Sequence, residues 1–418
     1  MSATTHRRAA GHPRRSKVPA VAPTPDTLVS PPAEAQLADE LTVSVVIPCL
    51  NEEENIEACV AQALAAIEEA GLDGEVLVAD NNSTDRSAEL AVAAGARVVH
   101  VPERGYGAAY LGGFRAARGK YLVMGDADLT YDFGEVPRFV QHLADGADLV
   151  MGNRMNNIQP GAMPWLHQYI GNPILSGFLN LLFRTGVRDA HCGMRAVRRD
   201  ALPAMDLRTP GMEFASEMVI RAAKEGLRID QFDIEYMPRG GESKLSTFRD
   251  GWRHLRFLLA HSPTYLFLIP GLTLSVLGGL VMATVISGLD LFGRSWSVHT
   301  MIVGSLLTVV GVQIVCLGLT AHAFGTYYMN EKDPWFDRMR ERFRLEHGLL
   351  LGSVITVGGL LIAIGVVLAW ANDDFGNLDA ASPAVLAATL MIVGVQIFFS
   401  SFLISVIGLR RHTSTGAR

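Results

Sequence analysis

Four stretches without an acidic or basic side chain decide most of what this chain can become. Leu266 to Ser287, Leu349 to Trp370 and Pro383 to Leu409 carry none, and Met301 to Phe324 carries only His322 among ionisable groups. Each is close to the ~20 apolar residues needed to cross the hydrocarbon core of a bilayer. Four membrane spans are therefore expected. The loop between the second and third holds Lys332, Arg338, Arg340, Arg342 and Arg344, while the loop between the third and fourth holds Asp373, Asp374 and Asp379. By the bias of basic loops toward the cytoplasm, both chain ends and everything before the first span are expected on that side of the cell membrane.

The spans also echo one another. "VGVQI" stands at Val310 to Ile314 and again at Val393 to Ile397, and "GGL" at Gly278 to Leu280 and at Gly358 to Leu360. Two hairpins related along the membrane normal, or coincidence in a small apolar alphabet, would each give this pattern. The glycines permit close helix approach in either case.

Ahead of the spans the texture is that of a water-soluble α/β domain. Residues 1–40 are basic and rich in Pro and Ala, with Arg7, Arg8, Arg14, Arg15 and Lys17 and no apolar core of a signal peptide, and are expected to form a disordered tail. From Leu41, short apolar runs ("LTVSVVIP", "EVLVAD", "ARVVHV", "KYLVM") alternate with helical patterns closed by Gly71 and Gly95. That alternation means βαβ units and a parallel sheet. The expected organisation is a tail (1–40), an α/β domain (41–246), an amphipathic interfacial helix (247–264), four spans (265–411) and a short cytoplasmic tail (412–418). In the segment from Thr247 to Tyr265, Trp252, Leu255, Leu258 and Leu259 stand among Arg249, Arg253 and Arg256, a pattern suited to the membrane interface. A helix packed on the domain core is the alternative.

Ligands of parallel sheets bind beyond the carboxyl ends of the strands. Three of those ends carry polar clusters: "PCLNEEEN", "DNNSTD" and "DADLT". Asp126 and Asp128, beyond the fourth strand, offer hard oxygen ligands for Mg²⁺ or Mn²⁺ and leave positions open for a diphosphate. Asp80 can accept from a base N–H or a ribose hydroxyl, and Pro48, Asn51 and Glu52 can form the facing wall. "DNNSTD" also reads as a helix start, with Ser83 or Thr84 as cap and Asp85 near its positive end. Arg104 is placed to meet phosphate, with Gly105 and Gly107 allowing close backbone approach. Glu213 and Glu217 suit a sugar pocket or an ordinary helix face.

Composition excludes several classes. A net charge of −6 gives no reason to expect nucleic-acid binding, and the four cysteines have neither CxxC nor Cys/His spacing, so they read as free or buried thiols. No catalytic Ser-His-Asp set occurs, and no GxGxxG follows the first strand, which disfavours a NAD-dependent dehydrogenase. His191 and Cys192 form a polar cluster in which a structural histidine is the expectation. A transporter with a nucleotide-sensing domain is a different class, disfavoured because the spans lack ionisable groups.

In order, "VVIPCLNEEENI", "DNNSTD", "GYGAAY", "GDAD", "VMGNR", "CGMRAVRR" and "GESKLS" resemble the inverting glycosyltransferases of family 2, and among them the polyprenyl-phosphate glucose and mannose synthases. The resemblance covers about Val43 to Leu259. It implies a GT-A (Rossmann-like) nucleotide-sugar-binding domain followed by a four-helix transmembrane domain. Pro48, Asn51, Glu52 and Asp80 would touch the nucleotide, and Asp126 and Asp128 the donor and metal. Arg154, Arg239, Ser243 and Lys244 would lie near the phosphates of donor and acceptor. The mannose-type enzymes carry Gln two residues after the second Asp, where Thr130 stands here; this and "HQYIGNP" (His167 to Pro173) favour glucose from UDP-glucose over mannose from GDP-mannose. The implied partners are a nucleotide sugar, polyprenyl phosphate and the lipid bilayer, with a homo-oligomer left open.

Overall fold

The β-branched run Val43–Cys49 forms β1, and its side chains are buried on both faces, the mark of a central parallel strand. The structure, a computed structural model, describes residues 41–240, 247–289, 296–328, 334–342, 345–372, 374 and 381–408. From β1 the chain runs through α1 (Ile56–Glu69), β2 (Gly74–Asp80), α2 (Ser87–Ala93), β3 (Arg97–His100), α3 (Tyr106–Ala116) and β4 (Tyr121–Met124). Then come α4 (Val136–Ala144), β5 (Leu149–Asn153), α5 (Asn172–Phe183), β6 (Arg195–Arg198), α6 (Leu202–Met205), α7 (Phe214–Lys224) and β7 (Ile229–Asp233).

These strands form one seven-stranded sheet in the order β3-β2-β1-β4-β6-β5-β7, parallel except for β6, which runs antiparallel to β4 and β5. Alternate residues of β1 feed opposite cores. Val45 and Ile47 meet Ile56, Cys59, Val60 and Ala63 of α1, spaced on one helical face. Val46 meets Tyr110 and Phe114 of α3 and Phe214 and Met218 of α7 on the other side. Register pairs Cys49 with Asp80 and Val46 with Met124, so the carboxyl ends of β2, β1 and β4 lie side by side. The order of strands reverses between β1 and β4, the position at which ligands of such sheets bind.

After the sheet, α8 (Thr247–Ala260) and a π-helical turn (Thr264–Leu268) lead into α9 (Ile269–Ser287). One face of α8 packs on the domain core. His254 and Leu258, one turn apart, are buried against the α/β domain, and Leu258 belongs to its core; Trp252 faces outward, 64% exposed. The core-packed alternative thus describes one face of α8. The chain continues through α10 (Val298–Tyr328), α11 (Pro334–Arg342), α12 (Leu345–Asn372) and α13 (Ala381–Gly408). Thr264–Ser287, Val298–Tyr328, Leu345–Asn372 and Ala381–Gly408 are long and apolar enough to span a membrane, as their sequences required.

The echo between the spans is structural. A Cβ on Gly271 of α9 would meet Gly311 O and Val315 N of α10, at 2.9 and 2.8 Å. A Cβ on Gly352 of α12 would meet Gly394 O and Phe398 N of α13, both at 2.7 Å. One turn pair further on, Gly278 abuts Gly304 and Thr308 as Gly359 abuts Ala387 and Met391. The α9–α10 and α12–α13 hairpins thus repeat one contact plan. The match places Gly278 opposite Gly359, so aligning the two "GGL" strings is wrong by one residue.

Candidate active site

Beyond β4 the chain turns sharply, and both carboxylates of Asp126 and Asp128 are held from several sides. Asp126 Oδ1 accepts from Tyr106 Oη at 3.0 Å and Tyr110 Oη at 3.4 Å. These tyrosines sit one turn apart on α3, so their hydroxyls share a face. Asp126 Oδ2 lies beside Gly193, where a Cβ would come within 2.4 Å. Asp128 Oδ1 accepts from Thr130 N at 3.2 Å and Thr130 Oγ1 at 2.5 Å, and its Oδ2 meets Arg239 Nη2 at 3.0 Å. Dense surrounding protein, then the charge of Asp128, push the Asp126 carboxyl up to about 6.

That tension tests the expected metal. Two crowded carboxylates, one of them raised by the other's charge, form a donor set that a divalent cation relieves, and glycine at 193 leaves Asp126 Oδ2 clear. The residues fit a cation held by Asp126 and Asp128. Among the described residues no cluster of three or more His, Cys, Asp or Glu surrounds the pair, and two carboxylates leave positions on such a cation for donor phosphate or water. Thr130, the position at which the sequence departs from the mannose type, spends its hydroxyl on Asp128.

Arg239 reaches this pair because its segment is bound to the Asp loop. Met237 N donates to Thr130 O at 3.0 Å and Gly240 N to Asp128 O at 3.1 Å, while Asn55 Nδ2 donates to Gly240 O. The expected acceptor-phosphate residues Ser243 and Lys244 lie outside the described residues.

Arg154, expected near the phosphates, is paired with a carboxylate. It is buried, and its Nε and Nη2 donate to Asp189 at 2.7 and 2.9 Å, its Nη1 to Tyr131 Oη at 3.2 Å. Burial alone would raise the Asp189 carboxyl; the guanidinium overrides it and holds the group below the ordinary carboxylate range. Arg154 and Asp189 thus form a clamp whose positive charge also acts on Asp126. Tyr131 Oη also accepts from Gly193 N at 2.7 Å, which connects the clamp to the segment beside Asp126. Arg195, fully buried, donates to the carbonyls of Ala190, Cys192 and Ala215 and fixes the same segment. Burial pushes the Cys192 thiol up to about 12, so no thiolate nucleophile arises there. Ser216 Oγ lies 3.4 Å from His191 Nε2 and 3.2 Å from Nδ1 of His254 on α8.

The wall at the ends of β1 and β2 is a mesh of side chain to backbone bonds. Asp80 is buried; its Oδ1 accepts from Ser83 N and its Oδ2 faces His100 Nδ1 at 3.2 Å. Asn51, with φ of 54°, accepts from Thr84 N at 2.8 Å, and Glu52 N donates to Ser87 Oγ. Pro48 is the penultimate residue of β1. The anticipated cap is corrected: neither Ser83 nor Thr84 caps α2, and Asp85 accepts from Ser87 N instead, at 3.0 Å. Arg104 is exposed. The close approach allowed by Gly105 and Gly107 is to the chain itself: a Cβ would strike Pro210 O and Thr209 O at 2.2 and 2.1 Å. Glu217 accepts from Arg208 N and Thr209 N and so holds that same strip, while Glu213 pairs with Arg253 of α8.

Tyr106, Tyr110, Tyr131, Asp189 and Gly193 escaped the reading of the sequence. The spacing of Tyr106 and Tyr110 carried a signal; the pairing of Arg154 with a carboxylate thirty-five positions away did not.

A sheet with one antiparallel strand, two carboxylates at the β4 end and polar loops on β1 and β2 is the arrangement that the resemblance to GT-A glycosyltransferases implied. Residues 44–205 match the model of glycosyl transferase family 2, and residues 319–408 that of the glycosyltransferase family 2 C-terminal transmembrane region. The chain is 43% identical over 369 residues to the low-salt glycan biosynthesis hexosyltransferase Agl6 of Haloferax volcanii, covering 88% of this chain and 89% of that protein. It belongs to glycosyltransferase family 2. A dolichyl-phosphate hexose transferase of Haloferax volcanii is 34% identical over 211 residues, covering 50% of this chain and 89% of that one. A solved structure of glucosyl-3-phosphoglycerate synthase from Mycobacterium tuberculosis, in complex with Mn²⁺, UDP-glucose and phosphoglyceric acid, matches with a TM-score of 0.42 and 25% identity, covering 53% of this chain and 78% of that one.

Proposed function

We propose that this glycosyltransferase moves a hexose, glucose from UDP-glucose in the first instance, onto a polyprenyl phosphate at the cytoplasmic face of the cell membrane. The observation that carries the reading is the Asp126–Asp128 pair with Arg239 across Asp128, in a domain joined to four apolar spans. The names of the relatives, a hexosyltransferase and a dolichyl-phosphate hexose transferase, support the sugar class and the lipid phosphate. The hydroxyl of Thr130, bound to Asp128 where the mannose type has Gln, supports glucose. Basic residues of the loop between α10 and α12 support the cytoplasmic side.

In this reading an acceptor phosphate oxygen forms a bond to the anomeric carbon as the bond from that carbon to the diphosphate oxygen breaks. The nucleoside diphosphate leaves with the electron pair, and the configuration inverts. A phosphomonoester, with its second pKa near ~6, is already an anion at neutral pH, so no strong base is required. The task is to bring two anions together. Mg²⁺ or Mn²⁺ held by Asp126 and Asp128 supplies charge neutralisation at the leaving diphosphate. Arg239 adds a fixed positive charge at the mouth, and the Tyr106 and Tyr110 hydroxyls orient Asp126. Nothing in the spans is called on: His322 lies 3.1 Å from Thr264 Oγ1 and stacks on Phe336, which suits an anchor better than a conducting path.

The test is incubation of the full-length protein with polyprenyl phosphate, Mn²⁺ and a panel of labelled nucleotide sugars. A lipid-linked glucose product is expected; mannose product from GDP-mannose would overturn the choice of sugar. No lipid-linked product from any donor would overturn the reading.

A further inference from the structure

The spans hold a feature that anchoring does not require. α9, α10 and α13 leave a groove of about 250 Å³ between them, lined by Gly279, Met282 and Ile286 of α9, Thr308 of α10, and Leu386 and Leu390 of α13. Both threonine hydroxyls of the lining are spent on their own helices: Thr308 Oγ1 donates to Gly304 O at 2.8 Å, and Thr389 Oγ1 to Val385 O at 2.7 Å. The surface on offer is therefore hydrocarbon, and it suits a chain without polar atoms.

The repeated hairpin shows what keeps the groove open. In the contact plan that sets Gly278 opposite Gly359, Thr308 falls opposite Met391, and the next residue, Gly279, falls opposite Leu360. Two large side chains of the second hairpin thus have small counterparts in the first. Gly278 has a packing reason, since a Cβ there would strike Gly304 O and Thr308 N at 2.5 Å. Gly279 has none, because a Cβ there would meet no described atom within 4 Å. Glycine weakens a helix interior, so one that no neighbour demands points to a use for the space it leaves.

Depth decides what can occupy that space. Gly279 stands fifteen residues beyond Thr264, about 22 Å along the helix at ~1.5 Å per residue. α10 and α13 begin at the far end, at Val298 and Ala381, and Thr308 and Leu386 lie ten and five residues from those starts. The groove therefore belongs to the half of a ~30 Å hydrocarbon layer remote from the catalytic domain. An acyl chain of the leaflet nearer the domain ends at about the midplane, ~15 Å in. A long polyprenyl chain with its phosphate at the domain passes that plane. On the reading of the acceptor as polyprenyl phosphate, we propose that the groove binds the distal isoprene units of the acceptor chain. The first hairpin then measures acceptor length while the carboxylate site performs the transfer.

The test compares acceptors of two lengths. Full-length protein in phosphatidylcholine vesicles is assayed with undecaprenyl phosphate, of eleven isoprene units, and with farnesyl phosphate, of three, which ends short of the groove. Gly279→Leu introduces the side chain that Leu360 supplies in the second hairpin, and Ala283→Leu fills the same groove from the next turn of α9. Each is expected to raise KM for undecaprenyl phosphate about tenfold and to leave kcat, and both constants for farnesyl phosphate, unchanged. An unchanged KM for undecaprenyl phosphate in both variants, or an equal loss with the two acceptors, would overturn the groove. No product from either acceptor with the unaltered protein would instead overturn the choice of acceptor, so the occupant is also read without turnover. For this, undecaprenyl phosphate carrying a diazirine at its last isoprene unit is photolysed in the same vesicles. Labelling is expected on α9 and α13 around Met282 and Leu390, competed by plain undecaprenyl phosphate and reduced in Gly279→Leu. Labelling elsewhere, or labelling that undecaprenyl phosphate does not compete, would overturn the proposal in favour of a phospholipid chain from the opposite leaflet.

Discussion

Asp126 is kept where its charge is least favourable, and that has a measurable sign. Its folded carboxyl, at about 6 against an ordinary 3.8, gives a stability contribution fully present below the unfolded value and lost as pH rises through 6. At pH 7.5 without metal, Asp126→Asn should therefore melt higher than the wild type, by about 2–4 °C, and the advantage should vanish on acidification toward pH 4. Mn²⁺ should raise the melting temperature of the wild type and not of the variant; calorimetry checks both. Asp128→Asn, with its fold intact by circular dichroism, should lower turnover by at least about 100-fold. Arg154→Ala would leave Asp189 charged and buried without its partner and should cost about 3–5 kcal/mol in denaturant melts. The two aspartates were legible because a buried strand running into charge is itself a signal. The engagement of Arg154 was not, since a sequence shows that an arginine is present and not which carboxylate the fold brings to it.

Among the elements, β2 depends on one carboxylate near its start. Glu75 accepts from Ser44 of β1, from Arg97 of β3 and from Arg118 after α3, and so fastens three neighbours at one end of the sheet. Burial would raise its pKa; the hydrogen bonds from Arg97 and Arg118 override this and lower it to about 2. A depressed carboxylate stabilises above its unfolded value, and that stability is lost as pH falls from 4.5 through 2. Glu75→Gln should cost on the order of 2 kcal/mol at pH 7, discounted for the partly exposed arginines, and should flatten the acid limb of stability in that window. Urea melts at several pH values check it. The first four strands were legible from their alternation with helices; β5, β6 and β7 were not. β6 and β7, "RAVR" and "IDQFD", are four and five residues long and rich in polar side chains, so little in their pattern separates them from loops. α5 hid for the opposite reason, carrying Ile174, Phe178 and Leu181 on the flank of its core-facing leucines and so blurring the amphipathic stripe that announces a surface helix.

For the whole molecule, the absence of charge located every span, because burying an ion in lipid is costly enough to leave its trace in any sequence. Internal repetition was only partly legible: letters aligned "GGL" with "GGL", whereas backbone contact aligns Gly278 with Gly359. With three crossings before it, Asp374, between α12 and α13, is expected across the membrane from the catalytic domain. Asp374→Cys and Val92→Cys should accordingly react with an impermeant maleimide from opposite sides of sealed vesicles; labelling from one side would refute the four-span arrangement. The repeated hairpin also says something about how such a protein can grow. A unit of two helices returns the chain to the compartment it left, so a copied hairpin thickens the anchor and still delivers whatever follows it to the original side. A single helix gained or lost would exile everything downstream of it. Duplication by pairs is thus the one form of lengthening that leaves the geography of the cell, and with it the supply of donor, undisturbed.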